Sequence, residues 1–143
     1  MTDSSQRMPP SEPKASPPRH EFTRGLYGWI THTDLTSNDP AATKTWCAEV
    51  LGWTFTMEVP MPDGARALLF AYSDKGGGAI RPVNPPERPG SIPYVHVEDA
   101  HAAFEKAIGA GGEEMLAPTR VMDGVTVAIV RAPGGVPIGF SGA

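Results

Sequence analysis

At 143 residues the chain has room for one domain, built at most from two fused halves. With 40% hydrophobic and 20% charged residues it is a normal soluble globular protein, and a formal net charge of −4 without a Lys/Arg cluster argues against a nucleic-acid partner. Its single cysteine, Cys47, excludes an internal disulfide and a multi-cysteine zinc site.

Residues 1–24 form a Pro/Ser-rich tail. Met1 to Arg19 carry five prolines and four serines with almost no core-forming side chain, so the tail is expected to be disordered. It lacks the apolar core of a signal peptide, and nothing approaches the roughly eighteen apolar residues of a membrane span. A cytoplasmic location without membrane contact is expected, with His20 a solvated bystander.

Residues 28–36 are rich in β-branched and aromatic side chains and predict a strand. Asp39 followed by Pro40 starts a helix that runs to Leu51 and stops at Gly52. Cys47 lies within it as a structural thiol. Residues 53–59 alternate at period two, so Trp53, Phe55 and Met57 are expected on one strand face. A turn at 60–64 and a strand at 66–72 follow. Gly76, Gly77 and Gly78 open a short strand to Arg81 and read as a flexible lead-in, since no Lys-Ser/Thr and no helix follow as in a phosphate loop.

Residues 84–90 hold three prolines and read as a linker. The order then repeats: strand 91–97, helix 99–110, strand 113–119, strand 125–132 and strand 136–141. His101 is expected on the solvent side of the second helix. Asp39 recurs as Asp99, Ala42 as Ala102, Gly52 as Gly112, and Asp63-Gly64 as Asp123-Gly124, all at one offset. Matches at caps and turns without a gap point to a duplicated unit. The expected fold class is therefore α+β: two tandem βαβββ modules, about 28–83 and 88–143, in a single domain over 25–143. Their strands form a curved, half-open eight-stranded sheet with both helices on its outer face.

The pattern resembles the vicinal oxygen chelate superfamily of glyoxalases, bleomycin-resistance proteins and extradiol dioxygenases. The resemblance rests on His32 seven residues before Asp39, on Trp46-Cys-Ala-Glu-Val-Leu-Gly52-Trp53, on Asp99 to Gly112, and on Pro133-Gly-Gly-Val-Pro-Ile-Gly-Phe140. Trp46 stands where the family usually has Phe, and Cys47 where it has Tyr. The resemblance implies metal-ligand places on the first and last strands of each module, which here fall on His32, Ala79, Ile92 and Gly139. Only His32 can ligate, so no cofactor is expected. If any metal binds, His32 holds it, and a divalent metal on displaced ligands (His32, Asp34, His96) is the lesser alternative.

Strand parity places His32, Asp34 and Thr36 on one face with Arg81, Tyr94 and His96. His32, Asp34, Tyr94 and His96 are the candidate catalytic residues, because an imidazole beside a carboxylate is suited to proton transfer. Arg81, Thr36 and Trp53 are the candidate substrate-binding residues. The leading expectation is a metal-independent isomerase or lyase acting on an oxygenated small molecule in the concave cavity. The alternatives are a non-catalytic drug-sequestering protein and a metal-dependent lyase or dioxygenase. A homodimer is expected, since the ends of an open sheet need cover.

Overall fold

A computed structural model of the chain describes residues 25–61 and 64–143. The expectations for the tail, for His20 and for Asp63 lie outside the described residues. In chain order the elements are β1 (Ile30–Ser37), α1 (Pro40–Leu51), β2 (Thr54–Pro60), β3 (Arg66–Ala71) and β4 (Gly77–Pro82). The second set is β5 (Gly90–His96), α2 (Ala100–Gly109), β6 (Glu113–Met122), β7 (Val125–Ala132) and β8 (Val136–Gly142).

The strands form one curled, half-open sheet in the order β2-β3-β4-β1-β5-β8-β7-β6. Within each module the first strand runs parallel to the last, β1 to β4 and β5 to β8. The modules join through the antiparallel β1–β5 pair. The duplication is thus visible as a mirrored strand order about one central seam.

The caps work as their residue types require. Asp39 accepts a hydrogen bond from the Ala42 amide at 3.2 Å, and Asp99 from the Ala102 amide at 3.0 Å. Gly52 ends α1 at φ 72°, a left-handed conformation that favours glycine. Helix α2 stops at Gly109, short of the expected residue 110.

Both helices cover the same face. Cys47 of α1 packs on Phe70 and Ile80, with Leu35, Trp53, Phe55 and Leu68 around them. Phe104 of α2 packs on Ala128 and Val130, beside Phe140. Burial pushes the Cys47 thiol up, away from thiolate chemistry. On the opposite, helix-free face Ile92, Tyr94 and Ile129 form a separate apolar cluster.

Two expectations need correction here. A register shift between Phe55 and Met57 breaks the alternation of β2, so the three residues do not share a face. Trp53 and Phe55 lie in the helix-side core, while Met57 is exposed. Nor are the glycines of β4 a loose lead-in. Gly77 and Gly78 are buried, and a Cβ on either would run into the backbone oxygen of Phe70 or Thr33 respectively. They let three strands approach closely.

Candidate functional site

The site is built at the seam. In the β1–β5 register His32 lies opposite Tyr94, and Asp34 opposite Ile92. In the β1–β4 register Asp34 lies opposite Ala79, and Thr36 opposite Arg81. Facing residues of neighbouring strands point the same way, so one polar group rises from the middle of the helix-free, concave face.

Asp34 is its hub. The His32 Nε2 atom lies 2.7 Å from Oδ1, Arg81 Nε donates to Oδ2 at 3.1 Å, and the Tyr94 hydroxyl donates to Oδ2 at 2.9 Å. Burial alone would raise this carboxyl. The His32 hydrogen bond and charge, with those of Arg81, outweigh it and hold Asp34 below the usual carboxylate range. An ionised carboxylate only accepts, so the His32 nitrogen facing it is the one bearing hydrogen, which leaves Nδ1 with its lone pair. The His32 ring also sits edge-on to Tyr94, centroids 5.1 Å apart.

Arg81 is held on its other side by Glu87, a residue that the linker reading passed over. Both terminal nitrogens of Arg81 donate to the Glu87 carboxylate at 2.8 Å, a bidentate pair, and the Asn84 amide donates to Oε1 at 2.8 Å. Burial works against the Arg81 charge, but the hydrogen bonds and charges of Glu87 and Asp34 win and raise its pKa. Glu87 is correspondingly held below its ordinary value by Arg81 and by the Asn84 amide, against its own burial. Burial first, and then Asp34, push the Tyr94 phenol up, so it stays protonated and donates. No spacing points to Glu87; only the general need of a buried guanidinium for paired acceptors asks for such a partner.

The remaining predicted site residues stand apart from this cluster. Thr36 shares the face, but its hydroxyl is committed to the Arg88 carbonyl at 2.8 Å and so pins the linker. His96 is on the same strand face as Tyr94, yet two residues further along, about 6.6 Å by strand rise. Its ring stacks on Tyr27 with centroids 5.1 Å apart, and Nδ1 lies 3.2 Å from the Ser141 carbonyl oxygen. It is fully buried there and lies outside the expected convergence on Asp34. Trp53, expected at the ligand, stacks on Phe70 at 4.3 Å among the helix-side apolar residues.

The ligand places implied by the family do not fit a metal. Ala79 and Ile92 flank Asp34 as buried apolar residues. Gly139 faces Tyr94, and a Cβ there would come 2.5 Å from the tyrosine ring, so no longer side chain fits. Among the described residues, no three His, Cys, Asp or Glu side chains are gathered as a ligand set. An open hollow of about 420 Å³ lies elsewhere, near His101, Arg120 and Thr126. It shares no residue with the Asp34 cluster, and its lining lacks that cluster's convergent buried polar groups.

Comparison with known proteins agrees with this fold. The sequence model of the Glyoxalase/Bleomycin resistance protein/Dioxygenase superfamily matches residues 29–140. A putative glyoxylase, CFP32, from Mycobacterium tuberculosis and Mycobacterium bovis is 27% identical over 130 residues, which is 87% of this chain and 48% of the relative. The chain thus spans about half the length of the curated relatives it matches. Among solved structures, methylmalonyl-CoA epimerase from Mycobacterium tuberculosis superposes with a TM-score of 0.64 at 19% identity, covering 86% of this chain and 93% of that one. The hypothetical protein BH1468 from Bacillus halodurans also gives 0.64, at 12% identity, covering 79% and 92%.

Proposed function

The chain belongs to the glyoxalase, bleomycin-resistance and dioxygenase superfamily, and from that premise we propose that it binds an oxygenated small molecule on the concave face and moves a proton on it through His32. The observation that supports this most is the His32–Asp34 pair at 2.7 Å. Asp34, kept ionised by His32 itself and by Arg81, orients the ring and stabilises the imidazolium that forms when Nδ1 takes a proton. The proton taken from a carbon beside a carbonyl is returned by the same ring to a neighbouring atom on the same side, which is an isomerisation. No step is assigned to a metal. That a structural neighbour is an epimerase is compatible with proton transfer but rests on fold alone.

The test is deuterium exchange. Small carbonyl compounds that bind the protein are incubated with it in D2O and followed by NMR. Exchange that drops by about 10²-fold or more in His32→Gln supports the reading. Binding without exchange in the native chain would defeat it.

A second reading is favoured by one observation: Asp34, Arg81, Tyr94 and Thr36 all have their polar atoms engaged within the protein. Such a closed network suits a rigid binding floor, as in a non-catalytic sequestering protein. Binding without turnover is its signature.

The same proposal includes a cytoplasmic homodimer. Trp46, Val50 and Leu51 leave apolar surface exposed on α1, and two copies would supply as many modules as the longer relatives have room for. No helix among the described residues is long and apolar enough to cross a membrane. Light scattering giving the 15.2 kDa mass at micromolar concentration would contradict the dimer.

A further inference from the structure

The helix-covered face of the second module holds a hollow that the concave cluster does not use. The sheet outruns helix α2 there. Phe104 covers Ala128 and Val130, and by strand alternation Thr126 points to the same side, beyond the first turn of the helix. Arg120 lies opposite Thr126 in the β6–β7 register and so belongs to the same face. His101, the second residue of α2, borders the space from the helix side. Pro118 and Val125 supply apolar wall, and the volume of about 420 Å³ suits a small organic molecule.

We propose that this hollow binds a small organic carboxylate, its anionic end held by Arg120, His101 and the Thr126 hydroxyl and its carbon body laid against Pro118 and Val125. The site is separate from His32 and does not depend on what that residue does.

Thr126 carries the inference furthest. The residue is nine-tenths buried, yet its hydroxyl makes no hydrogen bond to any other described residue. Buried hydroxyls are normally paired, because an unpaired one has given up water for nothing. This one borders the hollow, where a ligand oxygen can accept its hydrogen.

Arg120 is the second support. Arg66, Arg81 and Arg131 each have a carboxylate partner, whereas Arg120 makes no ion pair with any described residue. A planar guanidinium offers paired N–H groups that match the two oxygens of a carboxylate. His101 brings an N–H in either protonation state. The acids close by in sequence leave the position open. Glu98, Asp99 and Asp123 do not line the hollow, and Asp99 is committed to the Ala102 amide at 3.0 Å. The apolar walls favour an organic acid over a bare inorganic ion, which would leave them wet.

The test titrates the full chain with para-fluorobenzoate by ¹⁹F NMR, with thermal melting alongside. Saturable binding is expected, unchanged in His32→Gln and weakened about fivefold or more in Arg120→Gln. Thr126→Val should weaken it about threefold or more. Because the hydroxyl has no partner to lose, the same variant should keep or raise the melting temperature of the free protein. Inorganic phosphate at the probe's concentration should not displace it. The proposal is overturned by a lack of saturable binding, or by binding that Arg120→Gln leaves intact. Loss of binding in His32→Gln overturns it too, since the acid would then sit on the concave face. Displacement by phosphate would leave only a bare-anion patch and reject the organic ligand. Arg120 is exposed, so its variant keeps the fold and decides the matter if Thr126→Val does not fold.

Discussion

The His32 ring nitrogen Nε2 lies 2.7 Å from Asp34 Oδ1, and these two residues share one face of β1 two positions apart. The pair is local in sequence, but its chemistry is set from outside β1. Arg81 of β4 and Tyr94 of β5 occupy the other carboxylate oxygen, so Asp34 ties both modules together and fixes the ring at the same time.

Removing the hub should therefore cost far more than removing the ring. Asp34→Ala strands Arg81 beside Glu87 alone and leaves the Tyr94 hydroxyl without its acceptor, a loss of about 3–5 kcal/mol. His32→Ala removes one partly buried partner and should cost about 1 kcal/mol. Urea unfolding of the two variants checks the order. Equal losses would mean that the imidazole, not the carboxylate, organises the seam.

Stability should fall in acid. Asp34 and Glu87 both have native pKa values below their ordinary ones, so their contribution is complete above their unfolded values of about 4. It is lost as the pH drops through the depressed native values. Urea midpoints should be flat from neutral pH down to about 5 and decline below about 4. Asp34→Asn should start lower and decline less steeply. A midpoint that rises on acidification would refute the assignment.

Trp53 should matter for stability and not for the ligand. It stacks on Phe70 on the helix side, so Trp53→Ala should destabilise by about 2–4 kcal/mol through lost packing. Any compound that binds the native protein should keep its affinity in the folded variant. A selective loss of affinity, with the melting temperature unchanged, would return Trp53 to the site.

Gly139 should resist even one methyl group. The ring of Tyr94 lies where a Cβ would need to be, at 2.5 Å. Gly139→Ala should push that ring off Asp34 and cost about 1–3 kcal/mol. In a Tyr94→Phe background, which has no bond to Asp34 to lose, the same substitution should cost less. An additive double variant would show that the two residues do not interact.

Much of this architecture could be read from residue types. Asp39 with Pro40, and Asp99 sixty positions later, mark helix starts because only a few side chains can cap the free amides. Their even spacing exposes the duplication. Parity then places His32, Asp34, Arg81 and Tyr94 together, since strand side chains alternate without reference to distant contacts. What parity cannot see is where it breaks. The bulge between Phe55 and Met57 sends Met57 to the other face, and no residue in Thr54–Val59 announces it. Glu87 escaped for a different reason. Its partner Arg81 is six residues back along a proline-rich linker, and only the folded path of that linker brings the two together. His96 fell on the right face but too far along β5, because alternation specifies side and not reach.

The central claim is that Asp34 holds the His32 ring with hydrogen on Nε2 and the lone pair on Nδ1. Long-range ¹H–¹⁵N NMR on ring-labelled protein reads this directly, at a pH where the ring is neutral. The spectrum should show the Nε2–H form as the sole tautomer in the native chain, and a mixture in Asp34→Asn. A native ring carrying its hydrogen on Nδ1 would contradict the account.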